Sequence, residues 1–570
     1  MSSLANTDIP GFAWKLSQFL IRFYWRVLKR SFRIIMQNQK SKRQIGLFQI
    51  VMLGLSSIIG SGWLFGSWEA SKVAGPAAIL SWIIGAIVIG SIAFNYIELG
   101  TMFPETGGMS RYAQYTHGSL LGFIAAWSNW VSLVTLIPIE AVAAVQYLSS
   151  WPWKWAHWTK GFMVNGQISN EGLFIVFLFI LVFTLLNYWS VNLLADFTSL
   201  ISVFKLVIPL LTIGLLLFSG FHPGNEIGSG IGGFMPYGSA AIFAATTSSG
   251  IIFSYNAFQV VINMGEEIKN PRRNIPLGIV ISLLISIVIY VMLQFTFIGV
   301  ISPSQVAKLG WHGINFQSPF ADLAIMLGIY WLSVLLYADA FISPFGTGVS
   351  FVAQTSRTLA AMVENEHMPK FLGKRNQKWG VPRVAMVVNL IISVLLVALF
   401  RSWGTLASVI STSTLIAYLT GPVTVSTLRN IAPHFKRPIR LKMQHFMAPF
   451  AFVLASLATY WAMWPTTVKV IGIILLGLPF YFYFEWRLNW KHTRSEFRGS
   501  LWMIAYLIFI SVISKLGSPS FGGINLVPYP FDFIVIIIAS LIFYRWGISS
   551  YQITSNLKSA RKVNSQVKMK

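Results

Sequence analysis

Fourteen apolar runs, most of them long enough to cross about 30 Å of hydrocarbon as a helix, govern what this chain can become. They occupy residues 45–73, 77–102, 120–147, 173–188, 193–218, 240–264, 277–301, 320–356, 384–400, 406–428, 446–463, 468–484, 501–513 and 533–544, the last two being short. Length alone would allow several soluble domains in 570 residues. Composition removes that option: 10% of the residues are charged, against about 25% in a soluble domain, and 55% are hydrophobic. The chain reads as an all-α polytopic membrane protein.

The basic residues orient it. With the N-terminus in the cytoplasm, 34 of the 42 Lys and Arg residues fall in cytoplasmic segments and 7 outside, the asymmetry the positive-inside rule demands. Both termini are therefore expected in the cytoplasm and the protein in the inner (cytoplasmic) membrane, with lipid around it. The net charge of +25 belongs to these flanking loops and gives no reason to expect a nucleic-acid partner. Ahead of the first span, residues 1–44 form a basic segment in which Lys15, Arg22, Arg26, Lys29 and Arg33 adjoin an apolar stripe of Leu16, Phe19, Leu20, Phe23 and Val27. That pattern suits a helix lying in the membrane interface, and its interspersed arginines exclude a signal peptide. A basic tail, 548–570, closes the chain.

Signals for bond-making chemistry are missing. There is no cysteine, hence no disulfide, thiolate site or Cys nucleophile, and no Walker A loop or HExxH. Gly228, Gly230 and Gly233 fit GxGxxG, but no strand precedes them. All eight histidines fall in loops or at helix ends, which argues against a buried histidine relay or metal site. No cofactor, no metal and no enzyme activity are expected. A lipid-modifying enzyme would need a nucleophile or acid–base pair that this chain does not offer.

The apolar helices are interrupted at two matching places. In helix 1, Leu55-Ser56-Ser57-Ile58-Ile59-Gly60-Ser61-Gly62-Trp63 puts glycines and serines at mid-depth. Five helices later, Thr246-Thr247-Ser248-Ser249-Gly250 and Phe253-Ser254-Tyr255-Asn256 do the same. Backbone freed from the helical ladder cannot face lipid, so it must line an enclosed cavity. Such a pair of breaks suggests a secondary transporter built as an inverted repeat, 45–218 and 240–428, with its site at the midplane and four peripheral helices in 446–547. Small residues serving close helix packing alone are the competing reading. The amides around Ser61 and Gly62, at the start of an outer half-helix, suit a substrate carboxylate, and the carbonyls of Ile58, Phe253 and Asn256 suit its ammonium. Gly60, Ser254 and Tyr255 belong to the same two stretches.

At these residues a family becomes recognisable. Ile58-Ile59-Gly60-Ser61-Gly62 with Phe65, and Phe253-Ser254-Tyr255-Asn256-Ala257-Phe258 followed by Glu266-Glu267-Ile268-Lys269-Asn270-Pro271-Arg272-Arg273-Asn274-Ile275-Pro276, resemble the amino acid-polyamine-organocation (APC) transporters, which have the LeuT-type fold. Pro104-Glu105-Thr106-Gly107-Gly108 and Arg357 ahead of Met368-Pro369 match further family motifs. The resemblance spans about 45–428 and implies an amino acid substrate, Phe253 as an outer gate, and Thr347 as the helix 8 counterpart of a cation-binding position. The nearest likeness, through Gly60-Ser61-Gly62-Trp63-Leu64-Phe65 and Leu186-Asn187-Tyr188-Trp189-Ser190-Val191, lies with fourteen-span members that take an acidic, aspartate-like substrate. Two departures stand out. Gln259 replaces an acid common in helix 6, and Trp63 replaces a smaller residue, so it is expected to narrow the pocket.

One cation, Lys205, is left inside a span, twelve residues into helix 5 and about 18 Å along it. It reads as the proton-coupling group, in the place a sodium ion takes in sodium-driven relatives, or else as a structural lysine paired with carbonyls or a carboxylate. Asp339 and Glu140 either relay protons to it or face vestibule water. Glu98, Asp196 and Glu69 are expected to cap helices or meet water. The resulting expectation is a symporter importing an amino acid with a proton as coupling ion. An exchanger and a non-transporting sensor remain open.

Overall fold

The computed structural model describes residues 45–558 apart from 106–107, 190, 229–231, 257, 377–380, 488–489, 491–492 and 555. The basic N-terminal segment, most of the tail, Gly230, Thr106, Gly107, Ser190 and the side chain of Asp196 lie outside the described residues.

The first five spans are α1, broken into α1a (Leu47–Ile58) and α1b (Gly62–Ala74), then α2 (Ala78–Met102), α3 (Ser119–Ser149), α4 (Asn170–Trp189) and α5 (Val191–Gly220). The next five are α6, in pieces α6a (Gly238–Ser248), α6b (Ile251–Tyr255) and α6c (Phe258–Asn263), then α7 (Pro271–Val300), α8 (Tyr330–Glu364), α9 (Arg383–Leu399) and α10 (Trp403–Tyr418, continued by Thr420–Ile431). The two fives correspond. The first helix of each is broken, and the third is its longest, 31 residues in α3 and 35 in α8, each with an internal proline, Pro138 and Pro344. This is the LeuT-type inverted-repeat arrangement, and α3 packs against both α8 and α10. Four more helices follow: α11 (Gln444–Tyr460), α12 (Thr466–Leu475 and Leu478–Arg487), α13 (Thr493–Leu516) and α14 (Phe531–Ser549).

Why α1 and α6 break is local. Ile59, at ψ 86°, leaves the helical region, and Gly250, at φ 78°, takes the left-handed conformation that a side chain would resist. Close packing also exploits the small residues: a Cβ on Gly54 of α1a would come within 2.9 Å of the Ser282 hydroxyl on α7. The two readings of the small-residue stretches thus coexist in one helix, packing in its first half and unwinding at its end.

Several boundaries differ from the sequence expectation. The run 320–356 is two elements, a short helix Pro319–Met326 and then α8, separated where Gly328 adopts φ 77°. The run 468–484 bends between the two halves of α12, and 501–513 extends to the full 24 residues of α13, whose polar first turns hydropathy could not count. A two-residue hairpin pairs Met163–Val164 with Gln167–Ile168 through Asn165 and Gly166, both at positive φ as a primed turn requires. α11 packs along α2 and α10, and its Ala458 carbonyl accepts a 2.8 Å bond from Thr247 in α6a, so it walls the broken helix directly.

Let the end carrying Arg111, Arg357 and Arg429 be called the basic end. There the expectation of a solvated Glu98 is corrected. Its carboxylate is 1% exposed and receives Arg429 Nε at 3.0 Å and the Leu441 amide at 3.3 Å, with Arg437 Nε 3.4 Å away. It joins α2 to the segment after α10. Removing one partner of a buried pair leaves the other charge uncompensated, at about 3–5 kcal/mol. Glu98→Gln should therefore lower unfolding stability in detergent by about that much, where an exposed acid would lose under about 1 kcal/mol. Glu69 is ion-paired to Lys72 at 3.5 Å. His117 and His367, although at helix ends, are also buried, bonded to the Gly547 carbonyl at 2.8 Å and the Ser119 hydroxyl at 3.0 Å.

Candidate functional site

The break in α1 offers two opposed helix ends, and each holds an opposite charge. At the C-terminal end of α1a, where carbonyls and the negative dipole end point, Lys205 of α5 donates from Nζ to the Ser56 carbonyl at 2.8 Å. It also donates to Thr347 Oγ1 on α8. At the N-terminal end of α1b, the Ser61 amide donates to Glu140 Oε2 of α3 at 2.9 Å. Asp339 lies two turns from Thr347 on α8. Ser343 between them donates to Asp339 Oδ1 at 2.9 Å, and Thr347 donates to the Ser343 carbonyl at 3.0 Å. A polar ladder thus runs down one face of α8 to Lys205, and Glu140 and Asp339 both lie within electrostatic reach of the lysine. All three ionisable side chains are at most 1% exposed. Vestibule water around Glu140 and Asp339 is therefore not what the structure shows.

The break in α6 is fastened to α10. Ser411 accepts from the Phe253 amide at 3.2 Å, Thr414 accepts from Asn256 Nδ2 at 2.8 Å, and the Tyr418 hydroxyl donates to the Asn256 carbonyl at 3.0 Å. These three residues, spaced three and four apart, share one face of α10. Trp403 at the head of the same helix donates to Ser61 Oγ at 3.0 Å, and its ring meets Phe253 edge-on at 5.8 Å. α10 thereby holds both breaks together. Sequence reading did not single out these residues, although the hydroxyl cluster Ser411-Thr412-Ser413-Thr414 inside an apolar run was a signal.

Between the breaks is a small cavity of about 10 Å³, lined by Ser57, Ile58, Gly60, Leu136, Glu140, Phe253, Asn256, Gln259, Thr347 and Phe351. That is room for one water molecule at most, so a larger occupant requires side chains to move. Of the residues singled out from sequence, Ile58, Gly60, Phe253, Asn256, Glu140 and Thr347 face this space. Gly62 and Ser254 instead form the contact between α1b and α6b: a Cβ on Gly62 would stand 2.4 Å from Ser254 Oγ. Tyr255 turns away into the rings of Trp82 and Tyr290. Trp63 does not narrow the cavity. It is fully buried against Phe320, 5.8 Å away, because its place on α1b faces the loop helix before α8. The Ile58 carbonyl already accepts the Tyr290 hydroxyl at 2.9 Å, and the Ser61 amide is already held by Glu140.

Comparison with known proteins agrees with this architecture. Residues 45–484 match a family model described as Amino acid permease. The glutamate/serine transporter AimA of Bacillus subtilis (strain 168) is 52% identical over 525 residues, covering 92% of this chain and 97% of that relative. The aspartate-proton symporter of the same strain is 34% identical over 518 residues, covering 89% and 96%. Its branched-chain amino acid permease BcaP is 24% identical over 464 residues, covering 78% and 93%.

Proposed function

Because the chain belongs to the amino acid permease family of the APC superfamily, we propose that it is a proton symporter importing an acidic or similarly polar amino acid across the cytoplasmic membrane. Both termini then lie inside, in keeping with the loop cations. The names of two of these relatives, one for glutamate and serine and one for aspartate with a proton, support the substrate class and the coupling ion.

The observation that carries the reading is Lys205, buried between the end of α1a and Thr347 and within reach of two carboxylates. Counted as charges, the group has one cation against two anions. In a dry site that deficit of one positive charge is costly, and a proton can supply it, whereas the α-ammonium of an amino acid arrives with its own α-carboxylate. Glu140 sits where a substrate α-carboxylate would, on the amide at the head of α1b. A substrate carboxylate that takes the Ser61 amide displaces Glu140, and because the incoming ammonium is balanced by that carboxylate, Glu140's charge is compensated by a proton. Substrate binding and proton binding thereby become one event, which is what symport needs. Asp339, bonded by Ser343 two turns along α8 from Thr347, keeps the second carboxylate of the group in place.

Purified protein in liposomes should accumulate labelled glutamate, aspartate or serine against its gradient when the outside is acidic. Accumulation should collapse when the pH gradient is removed. Uptake that needs preloaded amino acid and ignores pH would instead identify an exchanger. Binding without any movement would identify a sensor.

A further inference from the structure

Gln259, the second residue of α6c, is 1% exposed, yet among the described residues neither its Oε1 nor its Nε2 has a hydrogen-bond partner. It lines the cavity between the two breaks. Buried amides are almost always paired, because an unmet donor or acceptor keeps the full penalty of leaving water. Among the described residues nothing in the rest of the lining bonds it. Leu136 and Phe351 are apolar, and the Asn256 amide is spent on Thr414 and Ser132. The Oε1 of Glu140 is an acceptor in its charged form and is likewise unmet, so the Gln259 amide does not bond it in this structure.

Resting on the proposed reading of this cavity as an amino acid site, we infer that Gln259 hydrogen-bonds the side-chain oxygen of the transported amino acid and so selects carboxylate and hydroxyl side chains over aliphatic ones. The α-carboxylate and α-ammonium are served at the helix breaks. Gln259 lies beyond the α6 break, in the first turn of α6c, and lines the same cavity as Ile58, Phe253 and Asn256. Its Nε2 donates to a carboxylate or hydroxyl oxygen. Its Oε1 accepts from a hydroxyl, but offers an aliphatic side chain nothing and leaves both amide atoms unpaired.

The test is a competition series in proteoliposomes, with glutamate, aspartate, serine, alanine and 2-aminobutyrate against one labelled substrate, read beside the thermal stability of the substrate-free protein. Wild type should prefer the oxygen-bearing side chains to the aliphatic pair. Gln259→Leu should weaken the first group about 10- to 100-fold, leave alanine and 2-aminobutyrate unchanged or improved, and raise the melting temperature by removing an unpaired amide. Gln259→Glu should lose the acidic amino acids by like-charge repulsion and retain serine, and it carries the test if the leucine variant does not fold. A wild type without that preference, or variants that shift every amino acid alike or none, would overturn the inference and leave transport standing. An amide that is purely structural would reveal itself through a lower melting temperature in Gln259→Leu. A wild type that moves no amino acid removes the proposed function and this inference with it.

Discussion

Lys205→Gln should abolish uptake driven by a pH gradient while leaving substrate binding and counterflow exchange measurable. Among the described residues the ammonium is the sole cation in a fully buried group that also holds Glu140 and Asp339, and it bridges α5 to the α1a carbonyl of Ser56 and to Thr347 of α8. Glutamine can donate to one of those acceptors, so the helices stay joined, but it cannot carry a proton between two states. If Lys205 were a static strut, the amide would preserve uphill accumulation at reduced rate. If it is the coupling group, accumulation falls to the equilibrated level, and uptake loses its dependence on outside pH. The measurement is paired: labelled uptake with an imposed pH gradient, and exchange in preloaded liposomes without one. Uphill uptake surviving in the variant, or an absolute sodium requirement in the wild type, would defeat the coupling account.

Gly62→Val should abolish substrate binding, with affinity lost by more than about 100-fold. The first carbon of any side chain there would stand 2.4 Å from Ser254 Oγ and 3.1 Å from its Cβ, and valine adds two methyl groups beyond it. Ser254 cannot simply rotate away without giving up its 2.9 Å bond to the Gly250 carbonyl, which stabilises the turn into α6b. α1b and α6b must separate, at about 1–3 kcal/mol or more for overpacking, and the two breaks lose their register. Substrate-induced thermal stabilisation measures the loss. The remedy is specific: in a Gly62→Ala background, Ser254→Gly should restore much of the binding by returning the missing space. Ile538→Val on α14, whose side chain is 55% exposed, should leave affinity unchanged. Wild-type affinity in Gly62→Val would mean that the site lies elsewhere.

Hydropathy gave the spans because lipid applies the same test to each segment independently of its neighbours. A helix that crosses must be apolar along its own length, and loop cations record its direction locally. The two breaks were legible for a similar reason: glycines and serines at Ser56–Gly62 and Thr246–Asn256 lower the cost of leaving the helix wherever that helix packs. Lys205 stood out because its cost is set by depth. The missed hairpin at Asn165 and Gly166 was readable too, as a primed-turn pair between short strands, but attention to long apolar runs passes over four paired residues.

What no local pattern contains is which helix faces which. Ser61 meets Glu140 across 79 residues, and Lys205 meets Ser56 across 149 and Thr347 across 142. Trp63, placed beside the substrate by its neighbours in sequence, turns to Phe320, and Glu98, placed in water by its position near a helix end, is buried under Arg429 and Arg437. The rotation of each helix about its axis decides these outcomes, and in a bilayer, where apolar surface is tolerated on every side, hydrophobicity does not fix that rotation. Packing of small residues and pairing of buried polar groups do. The sequence by itself determined an all-helical transporter with two broken helices and one buried cation. Only the tertiary structure decided that this cation closes one end of the α1 break while Glu140 closes the other, and that Gln259 faces the space between with its amide unpaired.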